Sequence, residues 1–351
     1  MDGFGLLRNM GGMILSAWLA MSDAEEARLP AYGVDLAATS VSGVSSGAYL
    51  AVQFHVAHSG IVRGAGIIAG GPYYCAENSV DRATLNCMKP DGAHPVPEAA
   101  HLKSITDRLA QSGAIDDPVQ LRDDRVWLFS GTADRVVAQP VMDALLRYYR
   151  AYVGDGGIVY KKDLDAGHAM VTETQGGACA YSGPPFINDC DYDAAGALLA
   201  HIYGPLKPPA AEAKGRFVAF DQNEFLPDRK AHDHSLSDSG VAYIPESCRA
   251  NRCRVHVALH GCLQNEEKVG DAFYRQAGYN RWADTNDLIV LYPQTVARYG
   301  WGWPGRNLNF VWNPNGCWDW WGYGGSDYHT RNGIQIKAIR GMLDRLAEPK
   351  P

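Results

Sequence analysis

The chain has no run of basic residues interleaved with aromatics, and its 32 Lys and Arg are outnumbered by 39 Asp and Glu, for a net charge of -7. Binding to a phosphate backbone relies on clustered Lys and Arg, so nucleic acid is excluded as a partner. Long hydrophobic runs are also missing. Only Met10 to Met21, with Ile14, Leu15, Trp18 and Leu19, approaches one, and it is too short to span a bilayer. Lying between Arg8 and Ser22-Asp23-Ala24, it reads as the apolar part of a signal peptide over residues 1–24. Asp2 offsets Arg8, which leaves an ordinary N-terminal helix as the other reading. Disorder is excluded as well, because 351 residues with 46% hydrophobic side chains can bury a large core, in one α/β domain or two smaller ones. Cysteine is not scarce. Eight residues fall into the couples Cys75 with Cys87, Cys179 with Cys190, Cys248 with Cys253, and Cys262 with Cys317. The even count suggests disulfides and a secreted or periplasmic protein, although spacing does not fix connectivity.

Gly43-Val44-Ser45-Ser46-Gly47 matches G-x-S-x-G, a tight strand-to-helix turn that presents one serine hydroxyl at a sheet edge. Its flanks fit: Ala38 to Ser42 is a small-residue strand, and Ala48 to Phe54 continues as an apolar helix. Ile61 to Ile68 reads as the next buried strand, and the compact strand-helix-strand unit implies a parallel sheet. Residues 75–123 read as irregular except for a helix near His101 to Ala110. Val126 to Ser130 is a strand leading into Gly131-Thr132-Ala133-Asp134, Val141 to Tyr152 a helix, and Ile158 to Lys162 a strand leading to Gly167-His168. Ser45, Asp134 and His168 thus occur in the order α/β-hydrolases use, each just beyond a strand. Asp163 and Asp165 are alternative acids, but neither follows a strand so directly.

Asp191 to Tyr203 reads as a helix and Pro205 to Ala213 as a linker. Strands then follow at Phe217 to Phe220, Val241 to Pro245 and Arg254 to Leu259, the last ending in His260-Gly261-Cys262. In esterases an H-G-x turn after an early strand donates a backbone N–H to the oxyanion. Here it comes more than two hundred positions after the serine. Read from 214 round to 204, with a strand at Leu288 to Pro293 and a last helix at Ile334 to Leu346, the order becomes that of an ordinary α/β-hydrolase. The expectation is one circularly permuted α/β domain over 29–346, a mostly parallel sheet flanked by helices, with its junction at about 205–214.

With Gly43 to Ala48, Phe220-Asp221-Gln222, Val257 to Cys262, Tyr292-Pro293-Gln294 and Asn315 to Tyr323 as they stand, the chain resembles the short-chain polyhydroxyalkanoate depolymerases, in particular their circularly permuted catalytic domains. The resemblance covers nearly all of Leu29 to Leu346, and the H-G-C turn paired with C-W-x-W is its most specific part. It implies a serine esterase hydrolysing poly(3-hydroxybutyrate)-type polyesters or their oligomers through an acyl-enzyme. Ser45 is then the nucleophile, His168 the base, and Asp134 the orienting acid. The N–H groups of Ser46 and Cys262 form the oxyanion hole, and Trp320 or Trp321 lines the cleft. A Cys262–Cys317 bond would tie oxyanion turn to cleft wall. No cofactor is implied, and the expected partner is the substrate of a monomeric enzyme. The chain stops at Pro351, where many such depolymerases continue into a polymer-adsorbing domain, so amorphous polymer or soluble oligoesters are the easier substrates to expect.

Three other readings stand beside this one. Feruloyl and acetylxylan esterases share the same pieces in unpermuted order. A non-catalytic binding module on a hydrolase fold is a second possibility, although such modules typically lose a triad member, whereas all three candidates occur here. Third, Cys248, Cys253, His256 and His260 follow C-x4-C-x2-H-x3-H, which could hold zinc, but their strand reads as sheet core and the resemblance uses His260 at the oxyanion turn. Six tryptophans crowd positions 301–321; core packing is their default role, and some could stack over an apolar ester chain.

Overall fold

The computed structural model describes residues 1, 28–303 and 308–350. After Met1, the segment read as a signal peptide lies outside them. The first half runs β1 (Thr39–Val44), α1 (Ser46–Ala57), β2 (Val62–Ile68), α2 (Val80–Leu85), α3 (Ala99–Gln111), β3 (Arg125–Phe129), α4 (Gln139–Tyr149) and β4 (Ile158–Lys161). Three short strands follow, β5 (Met170–Thr172), β6 (Gly177–Ala178) and β7 (Ile187–Asp189), then α5 (Ala194–Tyr203). The second half runs β8 (Arg216–Asp221), β9 (Ser239–Ile244), β10 (Arg254–Leu259), α6 (Glu266–Val269), α7 (Ala272–Gln276), α8 (Tyr279–Thr285) and β11 (Leu288–Tyr292). It closes with β12 (Arg298–Gly302), β13 (Asn309–Asn313) and α9 (Ile334–Ala347).

Eight strands form one sheet in the order β4-β3-β2-β1-β10-β11-β9-β8. The pairs from β4 to β11 are parallel, and β9 lies antiparallel to both β11 and β8. Period-two alternation sends side chains to two apolar layers. On β11, Ile289 and Leu291 join a core with Leu50 and Phe54 of α1, Met142 and Leu145 of α4, and Ile339 and Leu343 of α9. Leu288, Val290 and Tyr292 face the opposite layer, with Leu198 of α5, Phe273 of α7 and Tyr279 of α8. α1 is buried along its whole length, as a helix without a polar stripe requires. The 205–214 stretch is tied along α8, where Lys207 N–H donates to Asn286 Oδ1, Ala210 N–H to the Arg281 carbonyl and Lys214 N–H to Asp284 Oδ2. Ahead of β1, the N–H groups of Tyr32 and Val34 both donate to the Leu346 carbonyl, so the strand that carries Ser45 is entered from the end of α9.

The elements differ from the sequence reading mainly at their ends. α5 starts at Ala194 because Asp193 Oδ1 accepts from Gly196 N–H as an N-cap. α4 starts at Gln139, since Pro140 is tolerated in a first turn. Within 75–123, α2 escapes an apolar-period search because it buries only Ala83; its Ser79 cap and the Cys75–Cys87 bond hold it instead.

A polar chain pins β1 to β10. Ser40 Oγ lies 2.6 Å from His256 Nδ1 and Ser42 Oγ 2.7 Å from Nε2, and Tyr203 and Tyr279 extend the chain at 2.7 Å on either side. With no carboxylate against either ring nitrogen, burial pushes His256 down to about 3, and His260 down to about 4. The unfolded chain, with histidine near 6.5, therefore binds protons that the fold refuses as pH falls. Stability is fully present above about pH 6.5 and is lost below it, at roughly 1.4 kcal/mol per pH unit for each histidine. Thermal midpoints from pH 7 to 4 are expected to fall steeply, and less steeply in His256→Gln. An unchanged slope in the variant would show that the acid sensitivity arises elsewhere.

Candidate active site

Ser45 follows β1 at φ 55° and ψ -121°, a conformation that residues other than glycine rarely hold and that strained functional turns do. Glycine on either side makes the turn possible. A Cβ on Gly43 would lie 2.2 Å from the Gly47 carbonyl, and one on Gly47 would lie 2.4 Å from the carbonyl oxygens of both Leu259 and His260. The elbow is thus pressed onto the end of β10. A Cβ on Gly261 would come within 3.3 Å of Ser45 Cβ, which places the His260-Gly261-Cys262 turn beside the serine.

His168 lies beyond β4, with Nδ1 2.8 Å from Asp134 Oδ2, and both side chains are almost fully buried. Asp134 Oδ1 accepts the Val136 and Val137 N–H groups at 2.7 and 3.0 Å, so its carboxylate is fixed by three donors. With Nδ1–H directed at Asp134, His168 keeps Nε2 as its acceptor. Its own N–H donates to Ser182 Oγ at 2.8 Å. Among the described residues the Ser45 hydroxyl joins no hydrogen bond; contacts between nucleophile and base are commonly loose until substrate binds. The alternative acids are engaged elsewhere: Asp163 pairs in the open with Lys161, and Asp165 Oδ1 accepts from Thr132 Oγ1.

The turn after β10 is held from every side. His260 donates from Nδ1 to the Gly261 carbonyl at 2.7 Å and accepts Thr295 N–H at Nε2, which defines a neutral tautomer in keeping with its depressed pKa. Gly261 N–H donates to Gln264 Oε1, and Gln264 Nε2 donates to the carbonyls of Pro185 and Phe186. Phe186 O also accepts Met170 N–H, so Gln264 connects the turn to the segment that carries His168. Trp318 Nε1 donates to the His260 carbonyl at 3.0 Å, Trp318 N–H to Ser46 Oγ at 3.3 Å, and Cys317 is bonded to Cys262. Among the described residues the N–H groups of Ser46 and Cys262 are given to no protein acceptor.

Trp320 is almost fully buried, stacked on Tyr49 of the elbow helix with centroids 3.9 Å apart, and the half-buried Trp321 meets it edge-on at 5.6 Å. The loop around them is shaped by Asp319, whose carboxylate accepts N–H groups from Gly322, Tyr323 and Gly324. Burial pushes Asp319 up to about 7 against the pull of those donors. Gln264, Ser182 and Asp319 were not singled out by sequence reasoning; each is a common polar residue whose partners appear only in the fold.

All four cysteine couples form disulfides. The Cys248–Cys253 bond removes both thiolates from the zinc pattern, and His256 and His260 are engaged as described. Among the described residues no cluster of three or more His, Cys, Asp or Glu is placed to hold a metal ion, and no helix is long and apolar enough to cross a membrane.

No family model matches the chain. It is 44% identical over 325 residues to a poly(3-hydroxybutyrate) depolymerase of Delftia acidovorans, covering 91% of this chain but 61% of that protein, so it spans less than two thirds of that relative. A polyhydroxybutyrate depolymerase of Talaromyces funiculosus is 35% identical over 346 residues, covering 94% of this chain and 96% of that one. The crystal structure of a PHB depolymerase from Penicillium funiculosum superposes with a TM-score of 0.80 at 33% identity, over 93% of this chain and all of that one. A serine-to-alanine variant of a PHB depolymerase in complex with an R3HB trimer gives 0.79 with the same identity and coverage. Near-complete coverage of the Talaromyces relative, together with the shared fold, places this chain in the polyhydroxybutyrate depolymerase family.

Proposed function

We propose that the chain is a serine esterase that hydrolyses poly(3-hydroxybutyrate)-type polyesters or their oligomers through an acyl-enzyme. The observation that carries this reading is the packing of the Gly43–Gly47 elbow onto the Leu259 and His260 carbonyls, which sets Ser45 beside an H-G-C turn whose Cys262 N–H is unspent. Ser45 Oγ attacks the ester carbonyl while its proton passes to His168 Nε2. The carbonyl oxygen becomes an oxyanion held by the N–H groups of Ser46 and Cys262, each contributing on the order of a few kcal/mol. The C–O bond of the leaving alkoxide then breaks, and His168 returns the proton to it. Water, deprotonated by His168, releases the acyl group by the same route. Asp134 fixes the tautomer, and Trp320 and Trp321 border the cleft.

The sheet order supports reading the fold as circularly permuted. β10, which ends in the oxyanion turn, neighbours β1 although it follows it by more than two hundred residues, and α9 leads into β1 through Leu346. Four disulfides favour secretion or a periplasmic site. One chain carries the whole residue set, so a monomer suffices. The complex of a relative with an R3HB trimer favours polyester over sugar-linked esters. Clearing of amorphous poly(3-hydroxybutyrate) suspensions, compared with release of ferulate or acetate from xylan, tests the choice: clearing is expected, and cleavage of the sugar-linked esters alone would overturn it.

A further inference from the structure

The strands that carry the site are not all neighbours. His168 follows β4 and Asp134 follows β3, whereas Ser45 follows β1 and the Cys262 turn follows β10, so the sheet order puts four strand spacings between β4 and β10. At about 4.8 Å per spacing that is roughly 19 Å, and the segment carrying His168 must cross the carboxyl edge of the sheet to meet the serine. Near its start, the carbonyls of Leu164 and Ala166 accept the Thr132 and Ala133 N–H groups, which ties it to the turn that carries Asp134. His168 itself is then seated in the loop closed by the Cys179–Cys190 bond. Gly167 N–H donates to the Cys179 carbonyl, His168 N–H to Ser182 Oγ and Met170 N–H to the Phe186 carbonyl, each at 2.8 Å.

The far side of that loop is held by Gln264, which is 1% exposed, so its amide has protein partners in place of water. Its Nε2 donates to the Phe186 carbonyl at 2.9 Å and to the Pro185 carbonyl at 3.2 Å, and its Oε1 accepts Gly261 N–H at 2.8 Å. Phe186 stands at φ 57°, which a bulky residue holds only where its surroundings fix it. On the other side, Gly261 N–H goes to Gln264 and Leu263 N–H to the Asn315 carbonyl. In the run 261–263 the Cys262 N–H alone is left without a protein acceptor among the described residues. One amide thus closes the route from oxyanion donor to base, and among the described residues no other side chain hydrogen-bonds both segments. Resting on the esterase reading above, we propose that Gln264 is a positioning residue that sets the distance between the Cys262 N–H and the His168 loop, touching neither substrate nor reacting atoms. In the transition state both must converge on one ester group, the N–H on its oxygen and His168 Nε2 on the proton leaving Ser45. Slack between them is therefore felt in kcat before it is felt in binding.

The test measures kcat and KM of the full chain on soluble 3-hydroxybutyrate oligomers. Gln264→Met keeps the volume and removes every hydrogen bond of the amide. It is expected to lower kcat on the order of tenfold to a hundredfold, the scale of a misplacement of about 1 Å, and to leave KM within about twofold. Gln264→Glu supplies a readout that packing alone would not move. As a carboxylate the new side chain faces the Pro185 and Phe186 carbonyls with no hydrogen to give, whereas as a neutral acid it regains both an acceptor oxygen and an O–H donor. Burial favours the neutral form, so the ratio of its kcat to that of the parent should rise as pH is lowered from about 8 to about 6. His168 titrates in both proteins and cancels in the ratio, and Gln264→Met should show no such recovery. Parental kcat in Gln264→Met would overturn the inference, as would a loss confined to KM or a Gln264→Glu ratio that stays flat with pH. A parent chain inactive on the oligomers would overturn the esterase reading, and the inference with it.

Discussion

Ser45→Ala is expected to reduce hydrolysis of soluble 3-hydroxybutyrate oligomers by a factor on the order of a million, leaving only what binding and the oxyanion donors supply. The fold should survive. The Ser45 side chain joins no hydrogen bond among the described residues, and alanine in its place removes one oxygen without creating a clash. The backbone strain at φ 55° is held by Gly43, Gly47 and the Ser45 N–H bond to Ile68, none of which the substitution touches. A fluorophosphonate probe should label the parent chain once, at Ser45, and leave the variant unlabelled. Labelling of another serine, or near-normal turnover by the variant, would remove Ser45 from the role of nucleophile.

Asp134→Asn is expected to lower kcat by about ten-thousandfold while barely changing structure, because it acts on a tautomer. Asp134 uses Oδ1 for the Val136 and Val137 N–H groups and Oδ2 for His168 Nδ1. In the variant the amide oxygen keeps the two backbone donors, which leaves the NH₂ group facing His168. Nδ1 must then accept, Nε2 carries the hydrogen, and the ring can no longer take the proton of Ser45. Asp165→Asn, by contrast, should cost little, since Asp165 is occupied with Thr132. If those two variants fell equally, or if Asp134→Asn kept most of its rate, the orienting acid would have to be sought elsewhere. Activity of Asp134→Asn regained at high pH would point to hydroxide, in place of His168, taking the proton of Ser45.

The parts of the site that could be read from the sequence are those where backbone geometry dictates residue type. Gly43 and Gly47 are readable because no side chain fits where they are, and Asp134 and His168 because each follows a strand within a few residues. The parallel strands β2, β3, β10 and β11 were legible for a like reason, since buried parallel strands need largely apolar runs. The supporting residues were not. Gln264 reaches Phe186, and Trp318 reaches His260 and Ser46, across separations of 58 residues or more, and nothing local to glutamine or tryptophan announces such a partner. The β12–β13 hairpin was hidden differently. Tyr299-Gly300-Trp301-Gly302 has the period of a strand, but its apolar side faces outward, so a search for buried faces counts those rings as core or cleft.

The Cys262–Cys317 bond closes a loop that contains the whole β12–β13 hairpin, whose inner end is fastened to Cys317 through Asn313. In mechanical terms, that makes the bond a strut. Tension applied to the hairpin along β13 enters the body of the protein at Cys317. A covalent link passes that load to the backbone at Cys262 and on into β10, the strand against which the elbow rests. The Gln264, Trp318 and His260 hydrogen bonds that hold the turn after β10 are thereby spared the strain, and the Cys262 N–H can keep its aim while the hairpin is pulled.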